Sequence, residues 1–262
     1  MIVIKYGGHA IQVTGKSDPV VETIANYHLS GGRVVVVHGG GPAINAELVL
    51  HGVETKMSGG YRVTTPEVMH VVQETLSGSV LRTLTNAFIS FGVNAVGISS
   101  GDGRLMRAKK FQPFVNGVLT DIGSVGESES TDPTFLNLLL DNGYLPIISP
   151  VGVRSDGLPL NINADIAAGS IAGALDAEEV LFITDVAGIF RNWPDTTTLI
   201  PEISLQELID IAPTFSEGMA PKSKAVIAAL SSGAKRARVI DGSKFSNLEL
   251  AFSGSGGTVI KI

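Results

Sequence analysis

The sequence predicts an α/β fold, with a mostly parallel sheet lying between helical layers. Three observations carry this reading. Short apolar runs such as Val34–Val37, Leu145–Ser149 and Val180–Thr184 read as strands buried on both faces, as in a parallel sheet. Segments with helix-start signatures follow the strands in alternation. Composition is uniform along the 262 residues, with no sharp linker and no internal repeat, so two lobes sharing one continuous sheet fit better than independent domains.

The elements follow in order. Met1–Tyr6 is a short strand that Gly7-Gly8 ends, and Asp18-Pro19 supplies an N-cap and a first-turn proline for a helix to about Leu29. Val34–Val37 runs into His38-Gly39-Gly40-Gly41-Pro42, where a helix begins and continues to about His51. Thr64-Thr65-Pro66-Glu67 opens a helix to about Ser77, and a separate helix reaches about Phe91 before a strand at Asn94–Ser99. Gly101–Thr120 reads as glycine-punctuated hairpins. Asp132-Pro133 starts a helix that Gly143 closes, and Leu145–Ser149 is a strand. Ala164–Leu175 is a helix, Val180–Thr184 a strand, Ser204–Glu207 a capping box and Pro221–Ser231 a helix. Strands at Ala237–Ile240 and Thr258–Ile262 complete the chain.

Hydrophobic residues make up 44% of the chain and charged residues 17%, enough for a substantial core and against disorder. A net charge of −6 without a block of Lys and Arg argues against nucleic acid or an anionic membrane surface as partner. Zero cysteines exclude disulfides, thiol catalysis and cysteine-bound metal. The amino terminus carries no basic leader and no apolar run is long enough to span a bilayer, so the expected location is the cytoplasm.

Neither GxxxxGK[ST] nor GxGxxG is present. Two strand-to-glycine turns remain, Lys5-Tyr6-Gly7-Gly8 and His38-Gly39-Gly40-Gly41. A strand, a side-chain-free turn and a helix start present free N–H groups and a positive helix end to an anion. Read alone, the second turn fits an anion cradle and a plain connection equally. Ligands of open parallel sheets bind beyond the carboxyl ends of the strands, which places both turns at one edge with Lys5 between them.

Four further groups stand out. In Asn161-Ile162-Asn163-Ala164-Asp165, an extended run puts Asn161, Asn163 and Asp165 on one face where a small-residue helix begins; simple capping explains one of these residues but not three in register. Lys222 falls in the first turn of a helix, where a cation opposes the dipole unless an anion binds there. Arg62, just before a capped helix, has the geometry to clamp a carboxylate, although in isolation it reads as a surface arginine. Asp185, at the end of Val180–Thr184, faces either a nucleotide or a turn. The five histidines lack metal-ligand spacing, and His38 reads as a hydrogen-bonded structural histidine.

These motifs, together with Tyr61-Arg62-Val63-Thr64, Thr184-Asp185-Val186-Ala187-Gly188, Gly218-Met219-Ala220-Pro221-Lys222 and Gly257-Thr258-Val259-Ile260, resemble the acetylglutamate kinase branch of the amino acid kinase family, in order and over essentially the whole chain. The resemblance implies a three-layer α/β/α sandwich of the amino acid kinase type. It further implies a single domain, with an acceptor lobe at about 1–160 and an ATP lobe at about 161–262. The implied reaction moves the γ-phosphoryl of MgATP to the side-chain carboxylate of N-acetyl-L-glutamate, in arginine biosynthesis. Carried over by position, Lys5 and Lys222 bind the transferring phosphoryl group and Asp165 holds the two lysines. Gly8, Gly40 and Gly41 donate N–H bonds, Arg62 grips the acceptor α-carboxylate, and Asn161 and Asn163 meet its acetamido end. Gly7, Asp185 and Lys222 serve the nucleotide, with Mg²⁺ held mainly by the phosphates and no dedicated protein metal site. Because the chain starts at its first strand, a homodimer without arginine feedback through an extra N-terminal helix is expected. The alternatives are a kinase for an aminoadipyl or glutamyl group on a carrier protein, and a non-catalytic nucleotide or amino-acid sensor of the same fold.

Overall fold

The computed structural model describes residues 1–7, 18–215 and 218–262, so Gly8 of the first glycine turn lies outside the described residues. The chain opens with β1 (Ile2–Tyr6), α1 (Pro19–Leu29), β2 (Val34–His38) and α2 (Gly41–Leu50). A hairpin of β3 (Met57–Ser58) and β4 (Tyr61–Arg62) precedes α3 (Pro66–Gln73), a π-helical stretch at Glu74–Val80, and α4 (Leu81–Ser90). Next come β5 (Ala95–Ser99), β6 (Met106–Lys110), the hairpin β7 (Phe114–Val115) with β8 (Val118–Leu119), and β9 (Val125–Thr131). Then follow α5 (Thr134–Asp141), β10 (Leu145–Ser149), β11 (Val151–Val153), β12 (Pro159–Ile162), α6 (Ala164–Ala174) and β13 (Glu179–Thr184). The last part holds β14 (Glu202–Ser204), α7 (Leu205–Ile211), α8 (Ala220–Ser231), β15 (Arg236–Asp241), α9 (Phe245–Phe252) and β16 (Thr258–Lys261).

Eight strands form one sheet in the order β14-β16-β15-β13-β1-β2-β10-β5. The central strands are all parallel, and the direction reverses only where β16 meets β15. Alternating residues fill two cores. Val3, Val35, Val37, Ile148 and Phe182 pack towards α5, α6 and α8, whereas Ile4, Val36, Ile147 and Leu181 pack towards α1, α4 and α9. This is a three-layer α/β/α sandwich, and the fully buried valines of β2 are what a central parallel strand requires.

The start signals act as the sequence suggests. The Asp18 carboxylate accepts from the N–H groups of Val20 and Val21, Thr65 caps α3, and Ser204 and Glu207 form the capping box of α7. Two expectations change. The helices around Ser77 are not separate: α3 runs through the π-helical stretch into α4. The Gly101–Thr120 region is not only hairpins, because β6 closes a small barrel with β9, β11 and β12, and the tight hairpin is confined to β7 and β8.

Helices α6 and α8 touch through their backbones. A Cβ on Gly169 would sit 2.3 Å from the Ala229 carbonyl oxygen, and one on Gly173 would sit 2.8 Å from Gly233. Among the described residues, no helix is long and apolar enough to cross a membrane.

Candidate active site

Because β1, β2 and β13 run parallel, their carboxyl ends meet at one edge, and the charged residues gather there. Lys5 shares the face of Val3, towards α6. Its ammonium lies 3.0 Å from Asp165 in the first turn of α6, and both side chains are largely shielded from water, at 18% and 14% exposure. A carboxylate there also suits the positive end of the helix. Gly7 follows directly; a Cβ at this position would come within 3.0 Å of the Ile183 carbonyl oxygen.

The second lysine reaches the same cleft from α8. Lys222 Nζ lies 3.1 Å from Asp185 Oδ1 and donates to the Gly218 carbonyl at 3.3 Å. Asp185, just past β13, is 75% exposed, whereas Lys222 is only 20% exposed. The resemblance gives Asp165 both lysines; here each lysine has its own carboxylate. Both pairs line a cavity of about 560 Å³, together with Gly7, Asp18, Thr184, Gly242 and Ser243.

The glycine turn lies beside this edge. Helix α2 starts at Gly41, one residue before the proline, and no side chain caps it. Neither the Gly40 nor the Gly41 N–H at the helix start is bonded to another described residue. The two glycines differ in their surroundings. A Cβ on Gly40 would lie 2.5 Å from Leu76 Cδ2, whereas one on Gly41 would meet nothing within 4 Å among the described residues. His38 is fully buried below the turn, with Nδ1 donating to the Gly39 carbonyl at 2.8 Å. Burial pushes its pKa down to about 4, so it is neutral at pH 7.

Arg62, Asn161 and Asn163 occupy neighbouring structure. Arg62 donates to Asn45 Oδ1 at 2.6 Å and more weakly to Thr55 Oγ1 at 3.4 Å, and burial pulls its pKa below the ordinary arginine value. Among the described residues no carboxylate pairs with it. Asn161 donates to Thr64 Oγ1 at 3.2 Å, and Thr64 donates to the Arg62 carbonyl at 2.8 Å, so a polar chain joins the barrel to the β3–β4 hairpin. Asn163 is the N-cap of α6 and accepts from Asp165 N at 2.7 Å and Ile166 N at 3.3 Å. The extended run therefore ends at Asn163, and Asp165 is placed by the helix rather than by strand alternation.

The sequence reading missed several residues that shape the edge. Asp18 was legible as a cap, but it also accepts from the Tyr6 hydroxyl and lines the cavity. Thr184 ties the end of β13 to β15 through the Ile240 carbonyl at 3.0 Å. Asn45, Leu76 and Ser77 carry no local signal, because their partners lie far away in sequence.

The amino acid kinase family profile matches residues 1–241. An acetylglutamate kinase of Corynebacterium urealyticum is 43% identical over 262 residues, covering 99% of this chain and 86% of that protein. One from Salinispora tropica is 40% identical over 241 residues, covering 92% of this chain and 82% of its own length. Among solved structures, N-acetylglutamate synthase from Neisseria gonorrhoeae, complexed with coenzyme A and N-acetyl-glutamate, superposes with a TM-score of 0.83 at 25% identity. That match covers all of this chain but 59% of the synthase. Giardia carbamate kinase shares the fold, with a TM-score of 0.71 at 19% identity, covering 99% of this chain and 98% of its own. The chain belongs to the amino acid kinase family.

Proposed function

We propose that the protein transfers the γ-phosphoryl group of MgATP to the side-chain carboxylate of N-acetyl-L-glutamate, giving an acyl phosphate for arginine biosynthesis. The observation that carries this reading is the pair of shielded lysines, Lys5 and Lys222, reaching one cavity from opposite elements, each beside a carboxylate. Relatives named acetylglutamate kinase over nearly the whole chain supply the acceptor.

An ionised carboxylate needs no general base at neutral pH. The catalytic task is to bring two anions into line and to neutralise charge on the group in flight. An acceptor oxygen forms the new bond to the γ-phosphorus as the bond to the β-phosphate oxygen breaks, and ADP leaves with the electron pair. Lys5 and Lys222 bind the transferring group and Asp165 fixes Lys5. The N–H groups of Gly40 and Gly41 stabilise the transferring oxygens, and Gly8 adds a third donor by resemblance alone. Arg62 grips the α-carboxylate of the acceptor, Asn161 and Asn163 serve its acetamido side, and Gly7 and Asp185 serve the nucleotide. The half at about 1–160 takes the acceptor and the half at about 161–262 takes ATP, within one domain. Mg²⁺ travels with ATP on its phosphates. The assembly is a homodimer in the cytoplasm.

Gly41 supports this assignment, since nothing among the described residues demands a glycine there. Gly41→Ala should change stability by less than about 0.5 kcal/mol yet lower turnover about a hundredfold. The decisive assay traps acyl phosphate as a hydroxamate with N-acetylglutamate, glutamate and aminoadipate as acceptors. Turnover with N-acetylglutamate is expected. No product from any free acceptor, with ATP still bound, would turn the reading towards a carrier-linked acceptor or a sensor.

A further inference from the structure

The helical stretch from Pro66 to Ser90 changes neighbours midway. Val68, Met69, Val71 and Val72 of α3 pack with Ile44 and Leu48 of α2, whereas Leu81, Leu84 and Phe88 of α4 pack against the sheet. The π-helical stretch Glu74–Val80 lies at that change. A wider turn inserts a residue relative to α geometry, so each flank keeps its own apolar stripe on its own neighbour. Hydroxyls bond back along the helix here, Thr75 to the Val71 carbonyl at 2.7 Å and Ser79 to the Thr75 carbonyl at 3.2 Å, a habit that bends helices.

The change of neighbours explains why the turn is wide but not where its side chains go. Two consecutive residues reach the ends of two different strands. Leu76 lies over Gly40, just past β2, with its Cδ2 2.5 Å from where a Cβ would stand. Ser77 Oγ lies 2.7 Å from Ser149 Oγ, at the end of β10. Ser149 is fully buried, and its carbonyl accepts from Ser100 Oγ at 2.8 Å. Strands β2 and β10 are neighbours, so Leu76 and Ser77 grip adjacent points of one sheet edge.

We infer that the π-helical turn Glu74–Val80 is a positioning element for phosphoryl transfer, with Leu76 and Ser77 holding the Gly40–Gly41 turn in register against the sheet edge. The inference rests on the reading of that turn as a donor to the transferring phosphoryl oxygens. Leu76 limits where the Gly40 backbone can move, and the Ser77–Ser149 bond anchors the wide turn from which Leu76 projects. Misplacing a donor by an ångström costs turnover far more than it costs folding.

The test compares Ser77→Ala, Ser149→Ala and the double variant, with Ser77→Thr as the conservative control. For each, kcat and both KM values are read alongside the melting temperature. The expected result is a loss in kcat/KM for N-acetylglutamate of about fivefold or more, with KM for ATP within about twofold of wild type. The double variant should lose no more than the worse single, and Ser77→Thr should recover most of the loss. The two single variants break the same bond from opposite sides, so either one carries the test if the other does not fold. Kinetics like those of wild type, or a rise in KM for ATP as large as the loss in kcat/KM for N-acetylglutamate, overturn the inference alone. A wild-type protein that forms no acyl phosphate overturns the reading of the site and this inference with it.

Discussion

The two lysine–carboxylate pairs of the cleft are alike in distance and unlike in setting. Lys5 and Asp165 stand 3.0 Å apart and both are shielded; Lys222 and Asp185 stand 3.1 Å apart, but Asp185 is three-quarters exposed. A shielded pair is held by its surroundings, and losing one partner strands the other charge in a poor solvent. An exposed carboxylate loses little when its partner leaves, since water takes over. The first pair is therefore fixed scaffold for a charge. The second is an exchangeable contact, as the proposed nucleotide role requires.

The largest expected effect comes from removing the lysines. Lys5→Met and Lys222→Met should each lower turnover about a hundred- to a thousandfold, measured with saturating ATP and N-acetylglutamate. They should part on stability. Lys5→Met leaves Asp165 without its partner and should cost about 1–3 kcal/mol in urea unfolding, whereas Lys222→Met should leave the midpoint nearly unchanged. Equal midpoint shifts would end the distinction between the pairs.

Replacing the carboxylates gives a smaller contrast. Asp165→Asn should lower kcat about tenfold or more, because Lys5 loses the group that aims it. Asp185→Asn should act mainly through KM for ATP, by a few-fold, with kcat retained. The same split in kcat and KM for both variants would show that the two carboxylates do the same job.

A separate background, away from both pairs, comes from His38. His38 has a folded pKa of about 4 against an ordinary 6.5, so between these values the unfolded chain binds more protons than the folded one. Stability contributed by the neutral imidazole is present above pH 6.5 and is lost as pH falls towards 4, by up to about 3 kcal/mol. His38→Asn should flatten that slope in pH-dependent urea unfolding. An unchanged slope would assign it to other groups.

Much of this arrangement could be read locally. Asp18-Pro19, Thr65-Pro66 and Ser204–Glu207 announce helix starts because a cap and its first turn are neighbours in sequence. The valines of β2 announce a central strand because every one of them is buried. The small barrel was illegible because its strands pair at a distance, Asn161 with Val125 and Val153 with Arg107, and are only partly buried. Helix α9 carries no side-chain cap, and so gave no start signal. The division of carboxylates between the lysines was hidden for the same reason, since Lys5 and Asp165 meet only after β1 and α6 have packed. The π-helical turn was hidden by its composition, as Ser77-Gly78-Ser79 reads equally as a break between two helices. The buried network in which Arg238 meets Glu179 at 3.0 Å and donates to the Gly254 and Gly256 carbonyls left no local trace either.

The contact between α6 and α8 sets a dimension of the chemistry. Asp165 stands one turn before Gly169, and Lys222 stands two turns before Ala229, which Gly169 touches. Where two helices meet backbone to backbone, no side chain is present to rotate or compress, so the gap between their first turns has almost no spring in it. Asp165 and Lys222 are thus mounted on the two arms of a calliper whose opening is fixed by the absence of a methyl group. Any residue larger than glycine at 169 would widen that opening at the cleft while leaving every charge in the sequence unchanged.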